Sequence, residues 1–164
     1  MRSMSEDYTG RQVDLEILQH IAIPSGASEL SLTATRGEPR KVAGIQKTIQ
    51  RYVHLLLNPD SGRMFHVDGG NDMVTALVRG TVSNLGYMGH LFALANAAVL
   101  DEMRRADYNT EVYGEVPADE RIERVDLHGI SLDRATSTIS LSLEFYTEAG
   151  SDYTYIVPIG TGTH

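Results

Sequence analysis

Apolar and polar positions along the chain alternate most regularly between Asp119 and Ile159. Ile139, Leu141, Leu143 and Phe145 interleave with Ser140, Ser142, Glu144 and Tyr146, the period of two expected of a strand with one buried face. Ile122, Val125 and Leu127 upstream stand among charged residues, and Tyr153, Tyr155, Val157 and Ile159 downstream interleave with Thr154, Ile156 and Pro158. The intervening Asp133-Arg134-Ala135-Thr136 and Glu148-Ala149-Gly150-Ser151-Asp152 are rich in turn formers, and Gly150 can supply a positive φ. Three successive strands predict an antiparallel meander with one apolar face, which another part of the chain must cover.

A helical period supplies that cover. From Pro39, tolerated in a first helical turn, to the stop at Asn58-Pro59, the residues Val42, Ile45, Ile49, Tyr52, Val53 and Leu56 fall on one face at about 100° per residue. Arg40, Lys47, Arg51 and His54 group on the opposite side, which predicts an outward basic stripe. A solvated helix face is the plain reading of such a stripe, and docking on an acidic partner the sharper one. Met73, Val74, Leu77 and Val78 outline a short helix closed by Gly80. Ser83 or Asn84 can cap a longer helix in which Leu85, Met88, Phe92, Ala95, Val99 and Met103 recur up to about Ala106. Before residue 39, Val13, Leu15, Ile17, Ile21 and Ile23 suggest extended chain, and Pro24-Ser25-Gly26 a turn before Leu30 and Leu32. The expectation is one α+β domain over residues 13–159, with a polar N-terminal arm at 1–12 and a short C-terminal tail at 160–164.

Composition adjusts this picture in three places. A chain of 164 residues that is 41% hydrophobic is long enough for one substantial core, and no apolar run reaches the roughly 18 to 20 residues of a membrane span. The start is polar, without the apolar core of a signal peptide, so synthesis and retention in cytosol are expected. A net charge of −8 disfavours nucleic acid as a partner, although residues 36–51 carry five cations against one anion. Zero cysteines exclude disulfides, thiolate metal sites and cysteine nucleophiles.

Candidate chemistry is sparse. No serine has the Gly-x-Ser-x-Gly flanks of a nucleophile elbow, and no glycine-rich phosphate loop is followed by Lys-Ser/Thr. Asp68-Gly69-Gly70-Asn71-Asp72 misses calcium-loop spacing, and a helix cap at Asn71 or Asp72 is the better reading. Glu102, Glu111, Glu115, Asp119 and Glu120 crowd the region before the meander and raise two-carboxylate glycoside hydrolysis, but loop carboxylates of an acidic chain are usually solvated. Neither a catalytic residue, a metal ligand nor a cofactor is assigned.

Several motifs taken in order do carry a likeness. Gly44-Ile45-Gln46 opening a helix, Leu55-Leu56-Leu57 closing it, Gly62, then Gly70 before a short helix resemble the gene 25-like baseplate wedge family of contractile phage tails and type VI secretion systems, over about residues 13–159. The family's Glu-Pro-Arg motif before the terminal strands has Asp119-Glu120-Arg121 as its positional counterpart, with Glu120 in place of proline; Glu38-Pro39-Arg40 is the same triplet at another place. The resemblance implies a non-enzymatic role in the tail baseplate of a virion, assembled in host cytoplasm. Larger wedge proteins and the first ring of tail sheath would be the partners. Asp119 and Arg121 would meet the wedge, and Arg40, Lys47 and Arg51 would add salt-sensitive association. Pro158 cannot donate a ladder hydrogen bond, which makes the strand holding Tyr155 and Val157 the expected sheath-side edge. The alternatives are a peptidoglycan-cleaving enzyme, a secretion-system baseplate component and a cytosolic adaptor.

Overall fold

The computed structural model describes residues 13–32, 40–58, 72–82, 84–109, 114–133 and 135–160. The arm at 1–12, the tail beyond residue 160, the triplet's Glu38 and Pro39, Gly62, Gly70 and most of the 68–72 loop lie outside them.

The C-terminal meander forms as its alternation requires. Strands β5 (Ile122–Asp133), β6 (Thr138–Thr147) and β7 (Asp152–Gly160) pair antiparallel, and every second residue of β6 from Ile139 to Thr147 is buried. Gly150 adopts φ 82° in the turn between β6 and β7. In the other turn Asp133 accepts hydrogen bonds from the Ala135 amide and the Thr136 hydroxyl, at 2.9 and 2.8 Å.

The N-terminal segments add what periodicity leaves open. β1 (Val13–Leu15) pairs with β4 (Lys41–Ala43), while β2 (Leu18–Ala22) and β3 (Ser28–Leu32) form a hairpin. This hairpin joins the meander through a short parallel ladder between β3 and β7, giving one five-stranded sheet in the order β2-β3-β7-β6-β5. The expectation that β7 is a sheet edge is therefore wrong: β6 flanks it on one side and β3 on the other. Pro158 still leaves its mark. Ser28 and Glu29 pair with Tyr155 and Ile156, and the next position of β7 on that side is Pro158, which has no N–H to extend the ladder.

Helix α1 spans Gly44–Leu56, not 39–57. Residues 41–43 are drawn into pairing with β1, and the chain enters the helix through Gly44 at φ 65°, a conformation that a side chain would strain. Val42 is buried, but from a strand. α2 (Asp72–Val78) ends as expected at Gly80, where the amides of Gly80 and Thr81 return to the carbonyls of Leu77 and Ala76. α3 (Leu85–Asp107) is capped by the Asn84 side chain, which accepts from the Tyr87 amide at 2.8 Å.

The core lies between the inner sheet face and the helices, chiefly α1 and α3 with Met73 and Leu77 of α2, which is an α+β arrangement. Ile49, Tyr52, Val53 and Leu56 of α1 and Met88, Phe92, Ala95, Val99 and Met103 of α3 pack with Leu141, Leu143, Phe145, Tyr155 and Val157. Buried polar groups tie the layers together. The Tyr52 hydroxyl donates to Asn96 Oδ1 at 2.7 Å, and Asn96 Nδ2 donates to the Val125 carbonyl at 3.0 Å, a relay from α1 through α3 to β5. Gln50 clasps the corner between β1 and β2: its Oε1 accepts from the amides of Ile17 and Leu18 at 2.8 and 3.1 Å, and its Nε2 donates to the Leu15 carbonyl at 2.9 Å. Leucine at position 50 would leave three backbone groups without these partners. Gln50→Leu should cost about 1.5 kcal/mol, at the low end for such groups because the strand corner is open to water, and urea denaturation measures it.

Candidate assembly surface

Arg121 stands where the chain enters β5, and its surroundings follow from backbone closure. The loop 114–121 is stitched to the β6–β7 turn by the Glu148 amide donating to the Arg121 carbonyl at 3.0 Å and the Ala149 amide donating to that of Ala118 at 3.2 Å. The Arg121 side chain completes the seam: Nε donates to Glu148 Oε2 at 2.6 Å and Nη1 to the Val116 carbonyl at 2.7 Å. The Tyr108 hydroxyl donates to Glu148 Oε1 at 3.0 Å, and its ring centroid lies 5.8 Å from the guanidinium carbon. The hydrogen bond from Arg121 holds the Glu148 carboxyl below its usual range, and the bond to Glu148 raises the Tyr108 phenol. Arg121 is thus a staple within the chain, and the half-buried Asp119 sits two residues before it.

The basic stripe is not an outward stripe. Arg51 Nη1 pairs with Asp107 Oδ1 at 3.2 Å, and Asp107 is 7% exposed. Lys47 is half-buried, its ammonium lowered by desolvation against the opposing pull of Glu120, whose residue is 1% exposed. The helical wheel assumed one covered face for α1. Because the C-terminal end of α3 packs beside it, the presumed outer side is half covered as well. Arg40 is exposed and precedes β4, off the helix altogether. Tyr155 and Val157 are buried in the core, so their side chains do not form an accessible edge.

The sheet ends in β2 on one side and β5 on the other, and the β5 edge divides into two parts. Along its start α3 takes the place of a neighbouring strand, with Arg104 Nη2 donating to the Glu123 carbonyl at 2.8 Å and Asn96 to that of Val125. Between these elements lies a groove of about 640 Å³ lined by Gly89, Phe92, Ala93 and Leu127 among others. After a bulge between Leu127 and Gly129 the rest of β5 has no strand on its outer side among the described residues. The register gives the direction of its backbone groups. The Val125 carbonyl leaves the ladder, so Phe145 opposite it turns its backbone to β7, and along the unbroken β6 so do Leu141 and Ile139. Their partners Ile130 and Leu132 therefore present N–H and C=O outward, and Leu132 is exposed.

The outer sheet face carries a polar cluster that sequence reading did not assemble. His128 Nε2 and the Tyr146 hydroxyl both meet Glu144 Oε2 at 2.5 Å, and the Arg124 guanidinium lies 4.1 Å from the Tyr146 ring centroid. Only the cross-strand register reveals it, with a hint in the alternation of Glu144 and Tyr146 on the polar side of β6. Of the carboxylates considered for hydrolysis, Glu120 is buried, Glu115 exposed and Glu102 half-buried on α3, while Glu111 lies outside the described residues. None of the described ones lines the groove between α3 and β5. Among the described residues no group of three or more His, Asp or Glu is placed to hold a metal ion, and no helix is long and apolar enough to cross a membrane. Comparison of the chain with family models, with curated proteins and with solved structures finds no match.

Proposed function

We propose that this protein is a structural subunit of the gene 25-like baseplate wedge type, which joins larger wedge proteins to the first ring of a contractile tail sheath. The observation that carries the reading is the outer edge of β5. α3 closes its first half with side-chain donors, and its second half offers the outward backbone groups of Ile130 and Leu132 beside an exposed apolar side chain. A partner strand added there would gain affinity from main-chain hydrogen bonds. The sheath-side edge is thereby moved from β7 to β5. Arg121 supports the wedge side by fixing loop 114–121, on which Asp119 is presented, and not by reaching a partner itself.

Co-expression with the larger wedge proteins and the sheath subunit of the same tail tests both parts. Leu132→Pro removes an outward N–H while leaving the β6 ladder its donors, so the protein should fold, keep its wedge partners and lose at least about tenfold in sheath capture, one hydrogen-bonded contact being worth about 1.4 kcal/mol or more at a packed edge. Arg121→Ala should show the converse, with wedge association weakened and sheath capture retained. Undiminished sheath capture by Leu132→Pro would remove the β5 edge from the proposal.

A further inference from the structure

The β2–β3 hairpin is attached to the sheet more weakly than any other strand pair in it, through two Cα partners with β7. Its attachment also includes one histidine. His20 faces inward from β2, half-buried, with Nδ1 3.1 Å from the Tyr155 hydroxyl and its ring edge-on to the Tyr155 ring at 5.2 Å. That contact continues the aromatic row Tyr155, Phe145, Tyr52 through the core. The other ring nitrogen, Nε2, is buried with no hydrogen-bond partner.

We infer that His20 makes the β2–β3 hairpin an acid-releasable cover over β7: protonation of its ring loosens the hairpin and uncovers the backbone of Ile156. The argument does not depend on which nitrogen carries the proton in the neutral ring. In the imidazolium both are donors, so Nδ1 can still donate to the Tyr155 hydroxyl, while Nε2 becomes a buried N–H of a cation with no acceptor. Among the described residues no charged neighbour offsets this charge. Tyr155 on β7 is a neutral phenol whose pKa burial pushes up to about 12. On β3 the residue paired with His20 is Leu30, and Glu29 is paired with Ile21, whose side chain points to the opposite face. On α1, His54 is exposed and lines a small cavity with Leu18, and Tyr52 is a fully buried neutral phenol at the far end of the aromatic row. Desolvation is the sole cause lowering the His20 pKa.

The sign follows. A histidine whose pKa is depressed in the closed form binds its proton more readily when the hairpin is open, so closure is fully favoured above the ordinary pKa of about 6.5 and weakens as pH falls below it. One proton taken up on opening changes the opening equilibrium by at most about tenfold per pH unit. Leu30 remains a core anchor, so the transition is a local opening of the hairpin and leaves the meander intact.

Hydrogen exchange of the isolated 164-residue chain between about pH 7.5 and 5.0, corrected for intrinsic exchange rates, tests this without any assembly partner. Peptides from residues 18–32 should lose protection several-fold on acidification, while those from β5 and β6 hold theirs. His20→Phe keeps an edge-on ring without a titrating nitrogen and should abolish the response; His20→Gln serves the same purpose should the phenylalanine variant fold poorly. A wild-type hairpin whose protection ignores pH, a response that survives in the non-titrating variant, or a loss spread evenly over the whole sheet would overturn the inference.

Discussion

Phe145→Ala should lower the unfolding free energy by about 4 kcal/mol, within the range for truncating a fully buried aromatic, and a shift of the urea midpoint at unchanged slope would report it. Phe145 is fully buried at the centre of β6. Its ring meets that of Tyr52 on α1 edge-on at 5.0 Å and that of Tyr155 on β7 at 5.7 Å, so alanine removes packing from a helix and a strand together. The adjacent residue provides the control. Tyr146 lies on the outer face against Arg124 and Glu144, and Tyr146→Ala should cost about 1 kcal/mol or less. Comparable losses for the two variants would mean that the inner and outer faces of β6 have been exchanged.

That contrast between neighbours was legible in the sequence because a strand with one wet face writes its burial as alternation. Ile139, Leu141, Leu143 and Phe145 are buried as the pattern demands, and the turn at Gly150 has the positive φ expected of it. The apolar face of α1 was legible for the same reason, at a period of 3.6. Contacts between distant segments were not. Nothing in Ser28-Glu29-Leu30 indicates parallel pairing to Tyr155 and Ile156, and without that pairing Pro158 reads as an edge marker, when it ends a short ladder inside the sheet.

The site residues show a second reason for the gap. A helical wheel assigns a face to each residue but does not say how many neighbours the helix has. One apolar stripe implies one covered side and so puts Lys47 and Arg51 on an exposed one, whereas Asp107 at the end of α3 and Glu120 in the entry loop approach from that side. In the sequence only its place before the terminal strands marks Arg121. Its partner Glu148 is 27 residues away, in a turn that closes beside it only when the meander forms. Gln50 and Asn96 left no signal, since a polar residue on a helix reads as solvated until the backbone groups it serves are known.

Arg51→Ala should cost about 2 kcal/mol at neutral pH, with a dependence on pH that identifies the cause. Removing one partner of a buried ion pair leaves the other as an uncompensated charge, worth about 3 to 5 kcal/mol when both are fully enclosed. Here Asp107 has 8% side-chain exposure but Arg51 retains 35%, so water screens part of the interaction and the smaller figure applies. Burial raises the Asp107 carboxyl above its ordinary value, and Arg51 opposes that rise by its charge and its hydrogen bond. Without the guanidinium the folded-state pKa climbs further. A carboxyl raised in the folded protein binds more protons there than in the unfolded chain, so stability falls as pH rises from its unfolded pKa towards its folded one. The variant should therefore regain stability on acidification from pH 7 towards 4 relative to the parent chain. Asp107→Asn combined with Arg51→Ala should suppress both the pH response and most of the loss, because a neutral amide no longer needs the cation. A deficit in Arg51→Ala that is constant with pH, or that persists when Asp107→Asn is added, would show that the arginine acts through packing of its stem against α3 and not through its charge.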